Sequence, residues 1–151
     1  MFNPAHWHLI LNHLPLFLVM TGSILLPVGI WMNSRMLRVL SLIFLVGAGI
    51  TILPTYYSGE KAEHMMEDYG GISDSLLERH ETWAEYSWYS TTALGFFALV
   101  GLAGYYVKEQ LPVAFFVVLL LLSLTTLGVL AQTAQLGGKA RHVEIRTPAN
   151  R

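Results

Sequence analysis

Four long apolar runs separated by short polar breaks set the pattern of this chain. They extend from about residue 7 to 32, 36 to 57, 80 to 107 and 113 to 136. Each exceeds the roughly 20 residues that a helix needs to cross a hydrocarbon core about 30 Å thick. Asn33-Ser34-Arg35 is a polar turn between the first two runs, and Lys108-Glu109-Gln110-Leu111-Pro112 turns the chain before the last. Short connections make consecutive helices antiparallel. The pattern therefore predicts an all-α fold, an integral membrane antiparallel four-helix bundle, with residues 1–151 as one domain. Pro15 and Pro27 predict a kink in the first span, whose freed carbonyls must find partners on neighbouring helices.

Residues 58–79 form the only sizeable polar segment between spans. Met65, Met66 and Tyr69, then Ile72, Leu76 and Leu77, recur at helical spacing around Gly70-Gly71. This predicts two short amphipathic helices at the interface, the second capped by Ser73. Trp83, Tyr86, Trp88 and Tyr89 are expected to form an interfacial aromatic belt. Gly137-Gly138 is the expected stop of the fourth helix, with 139–151 a polar tail.

Composition agrees with a membrane chain: 54% hydrophobic and 13% charged over 151 residues. A net charge of −1 offers no basic field for nucleic acid. The absence of cysteine excludes disulfides, thiolate metal sites and iron–sulfur clusters. The N-terminus has no charged start or small-residue cleavage site, so the first run is expected to persist in the mature protein.

The up-and-down topology gives the bundle two ends. Side one holds the N-terminus, the 58–79 segment, the start of span three and the tail; side two holds the two tight turns. All six histidines, His6, His8, His13, His64, His80 and His142, fall on side one. A histidine at a membrane end ordinarily hydrogen-bonds headgroups or water, and His6 and His64 are assigned to that role. His13 lies about a turn inside an apolar segment, where an ionisable group normally faces the bundle interior with a partner. His8 and His13 are separated by roughly 140° on a continuous helix, so they are expected to serve different partners. Asn12 could orient a neighbouring imidazole.

These residues suit haem b held by imidazoles between helices: His13 and His80 as one axial pair, and His8 with His142 as a second pair or outer hydrogen-bonding groups. Arg79, Arg141 and Lys139 could pair with propionates. Along span three, Ala84, Ser87, Thr91, Gly95 and Ala98 share the His80 face. Small residues there serve either close helix packing or space for a flat macrocycle. The rival site is a non-haem iron, copper or other transition-metal centre. It draws on His8, His13, His80 and His142 with Glu60, Glu63, Glu81 and Glu144, although the Glu-x-x-His pairs of di-iron bundles are absent. A third reading is a structural accessory subunit of a larger membrane complex.

The residues His8-x-x-x-x-His13-Leu14-Pro15, with a histidine opening span three, resemble an uncharacterised family of small bacterial four-helix membrane proteins. Its first span carries His-Pro-x-x-x-His-aromatic-Pro. Gly59-Glu60-x-x-Glu63, Glu78-Arg79-His80-Glu81 and Leu136-Gly137-Gly138-x-x-Arg141-His142-x-Glu144 extend the likeness to nearly the whole chain, with a departure at Leu9. The resemblance implies a bundle in a redox membrane context, and no specific activity. The expected function is electron transfer from a membrane donor such as quinol to a partner at side one, in a homo-oligomer or a larger complex. The expected location is the bacterial inner membrane. Arg35 and Arg38 follow the first span while no Lys or Arg precedes it, which favours side one outside.

Overall fold

The computed structural model describes residues 4–67, 74–108 and 111–141, and the side chains of 8–62, 75–108 and 111–140. These residues form α1 (Pro4–Leu11), α2 (Leu14–Trp31), α3 (Arg35–Glu67), α4 (Asp74–Lys108) and α5 (Val113–Arg141). No strand occurs among the described residues. Four helical stretches, His8–Trp31, Arg35–Ala62, Ser75–Lys108 and Val113–Ala140, are long and apolar enough to cross a membrane. α2 packs on α3, α3 on α4, α4 on α5 and α5 back on α2, which closes an all-α four-helix bundle; α1 lies against α3.

The first span is two helices and not one kinked one. Pro15 has no N–H to donate, and its ring crowds the carbonyl four residues earlier, that of Leu11. The helix stops at Leu11 and restarts at Leu14, with Pro15 in its first turn, where a missing N–H costs nothing. The Thr55 hydroxyl of α3 shares its proton between the Thr51 carbonyl of its own helix at 2.8 Å and the freed Leu11 carbonyl at 3.3 Å, a partial interhelical rescue of the group that Pro15 frees. Replacing Thr55 with valine is expected to lower the unfolding free energy in mixed micelles by about 1 kcal/mol, with serine restoring it.

α2 ends at Trp31; two residues on, Asn33 has a left-handed φ of 49°, and Ser34 N–H reaches back to the Gly29 carbonyl at 2.9 Å. The turn matches its sequence reading. Residues 58–67 differ: they continue α3 and form no separate amphipathic helix, so α3 rises past the expected end of its span. α4 likewise starts at Asp74, ahead of His80. The expected break at Gly70-Gly71 and the Ser73 cap lie outside the described residues.

The core is made by Val19, Leu26, Leu42, Leu45, Leu94, Phe116 and Leu119, while Phe17, Ile24, Ile50, Phe96 and Leu121 point outward. With apolar surface on both faces, lipid offers no hydrophobic drive between helices, and close packing must hold the bundle. Between α3 and α4 backbone meets backbone. A Cβ on Gly95 would lie 2.7 Å from the Gly49 Cα. The small face of span three is thus filled by α3 backbone at this depth: Ser87, Thr91, Gly95 and Ala98 are buried.

Candidate functional site

The ends of α1, α3, α4 and α5 meet at side one, and two imidazoles are set into them. His8 is carried on α1, which the Pro15 break lets fold onto α3. Its Nδ1 is 3.2 Å from the Thr55 carbonyl and 3.4 Å from the Ser58 hydroxyl. A carbonyl can only accept, so Nδ1 carries the proton in the Thr55 bond and Nε2 keeps its lone pair. The ring lies on Gly59, where a Cβ would be 2.9 Å from the imidazole Cε1. Thr55, Ser58 and Gly59 are spaced i, i+3, i+4, so one face of α3 builds this seat.

His80 is held between α4 and α5. A Cβ on Gly137 would lie 3.0 Å from its Cε1 and 3.5 Å from its Nδ1. Gly137 is therefore a place of close approach, and α5 runs through Gly137-Gly138 to Arg141 without the expected stop. One turn deeper the two helices are locked by Ser87 Oγ and Thr133 Oγ1 at 2.8 Å, with Thr133 donating to the Trp83 carbonyl at 2.9 Å. His80 Nδ1 is buried without a hydrogen-bond partner. An unpaired buried nitrogen of this kind costs about 1–3 kcal/mol. Gly137→Leu is expected to push the His80 ring out of its seat and lower the unfolding free energy by about 1–3 kcal/mol in mixed micelles.

His13 is exposed at the start of α2, its ring 6.4 Å from that of Phe17. The histidines thus differ in setting: His8 and His80 are half-buried at side one, and His13 of the expected axial pair is exposed. The break lies between Leu11 and Leu14, and His13 stands just ahead of α2 on the outer surface. Asn12 Oδ1 is buried and unpartnered. Glu60, Glu81 and Arg79 are exposed, and Glu85 accepts the Tyr89 hydroxyl at 3.1 Å. Among the described residues no three His, Asp or Glu side chains converge as metal ligands. The side chains of His6, Glu63, His64 and Arg141, and all of His142 and Glu144, lie outside the described residues.

Lys139 is half-buried two residues beyond Gly137. Trp88 departs from the aromatic belt: its ring stacks on Tyr56 at 5.2 Å and 20°, while Tyr86 and Tyr89 stay exposed. The roles of Thr55, Ser58, Gly59 and Gly137 were not anticipated from the sequence, although the Thr-x-x-Ser-Gly spacing on one helix face was there to be read. Comparison of the chain with protein-family models, with curated proteins and with solved structures gives no match.

Proposed function

We propose that His8 and His80 are the axial ligands of a b-type haem, and that the protein is an electron-transfer subunit of a bacterial cytoplasmic membrane. One observation carries this reading: two half-buried imidazoles stand on different helices at one end of the bundle, each seated on a glycine of a neighbouring helix, and no three ligating side chains converge among the described residues. A porphyrin brings four donors of its own and asks the protein for two imidazoles. A non-haem ion asks for three or more protein ligands. The His/Glu centre is the weaker reading for that reason.

A haem held here would supply one-electron transfer between a donor in the membrane, such as quinol, and an acceptor at side one. The chain's own residues do the rest. The Thr55 carbonyl fixes the His8 tautomer and turns Nε2 outward to ligate. Gly59 and Gly137 admit the His8 and His80 rings, which lie where a Cβ would otherwise stand. Arg79, Lys139 and Arg141 are at the same end and can meet propionates. Arg35 and Arg38 at the opposite end orient side one outward.

The test is a spectrum of detergent-purified protein, oxidised and then reduced with dithionite, with metal analysis of the same sample. A Soret band and a sharp reduced α-band with stoichiometric iron are expected. A flat visible spectrum with stoichiometric metal would transfer the assignment to a non-haem centre. Protein without colour or metal would leave an accessory subunit.

A further inference from the structure

The opposite end of the bundle carries a second site, independent of the histidines. Arg35 and Arg38 open α3 at side two, where the sequence adds Lys108 and one acid, Glu109. Each guanidinium is laid on an aromatic ring: Arg35 Cζ is 5.4 Å from the Tyr105 centroid, and Arg38 Cζ is 5.4 Å from that of Phe116. The two rings are 5.9 Å apart. Their hydrogen bonds go to neutral oxygens. Arg35 donates to the Tyr105 carbonyl, and Arg38 to the Asn33 side chain and the Ser34 carbonyl. Neither arginine has a carboxylate partner among the described residues.

The helix termini add to this charge. α3 and α5 both begin at side two, and neither has an acid in its first turn. Their exposed N–H groups add partial positive charge at the same end. Tyr105 is 4% exposed, and its hydroxyl, on the ring that Arg35 covers, is buried without a partner. A phosphate oxygen would satisfy a phenol donor and arginine donors together.

Beside this cluster runs an apolar groove of about 250 Å³ between α4 and α5, lined by Phe97, Ala114, Phe115, Val118, Leu119 and Leu122. Phe115 joins the two parts, its ring 5.5 Å from that of Phe116 beneath Arg38. Residues 114–122 place the groove along the first turns of α5, reaching roughly 13 Å inward from side two at 1.5 Å per residue. This is the depth at which the upper part of an acyl chain lies.

We propose that this end binds one anionic phospholipid. Its phosphate lies by Arg35, Arg38 and Tyr105, and an acyl chain follows the groove between α4 and α5. A soluble anion would use the arginines and leave the groove idle; a lipid uses both.

Native mass spectrometry of the full chain in detergent, titrated with phosphatidylglycerol or phosphatidylcholine, tests this. Wild type is expected to favour phosphatidylglycerol by about tenfold or more. The Arg35→Gln/Arg38→Gln double variant should lose that preference. Ala114→Trp, which fills the groove mouth, should weaken both lipids. Millimolar inorganic phosphate should leave bound phosphatidylglycerol in place. Equal binding of the two lipids by wild type, or an unchanged preference in the double variant, would overturn the proposal. So would displacement by phosphate together with indifference to Ala114→Trp, which would mark a soluble-anion site. Helical content and elution volume are checked for each variant. If the double variant does not fold, the wild-type comparison of the two lipids decides alone.

Discussion

His8→Ala and His80→Ala are each expected to abolish the low-spin haem spectrum, while His13→Ala leaves it in place. The asymmetry follows from geometry. His8 and His80 are half-buried, each on a glycine of a neighbouring helix, and His13 is exposed. Removing either ligand leaves iron with one protein donor, so the loss should be near complete rather than partial. Helical content and elution volume should match wild type, because both side chains lie at the bundle end and not in its core. Imidazole added to the alanine variants should restore part of the low-spin signal, which a merely misfolded protein would not do. Thr55→Val, which leaves the His8 bond to the backbone carbonyl in place, should keep the spectrum. Normal haem content in both alanine variants would remove the assignment. Loss in His13→Ala and His80→Ala, with His8→Ala unaffected, would return it to the pair first read from the sequence.

The exposure of His13 shows where sequence reading stops in a membrane bundle. The four spans were legible because length and apolarity alone define them. The ends to which the histidines go were legible because an up-and-down chain must alternate sides. Which histidine faces inward was not. In a soluble helix the polar face marks the outside, but here α2 is apolar toward lipid as well as toward the core, so periodicity carries no direction. Asn12 and His13 then interrupt the helix, and an angle computed through them loses its meaning.

Gly137 was obscured differently. A glycine pair after an apolar run is written the same way whether it stops a helix or admits a neighbour's side chain. Only the imidazole of His80, brought from 57 positions earlier in the chain, distinguishes the two. The setting of the carboxylates was hidden for a related reason. Glu60 and Glu81 share an end with the histidines, yet both are exposed, and belonging to one end of a bundle does not bring groups within ligand distance.

The largest effect on stability is expected from Gly95→Leu. At this crossing a Cβ would lie 2.7 Å from the Gly49 Cα, 3.3 Å from its nitrogen and 3.4 Å from the Leu45 carbonyl oxygen. All three are backbone atoms, so no side chain can rotate away, and α3 and α4 must part. Overpacking a tight contact costs about 1–3 kcal/mol and more when backbone blocks relief. In a bundle held by close packing rather than by a hydrophobic drive, separating two helices also forfeits the dispersion contacts along their whole shared face. Gly95→Leu should therefore fail to accumulate as folded protein, and Gly95→Ala should unfold at clearly lower denaturant in mixed micelles. Gly128 is the control. A Cβ there meets nothing within 4 Å, and alanine should gain up to about 1 kcal/mol from helix propensity. If Gly95→Leu folded like wild type, the helices would have to be further apart than this crossing. If Gly128→Leu proved as damaging, the face of α5 that carries it would be covered by another protein surface rather than by lipid.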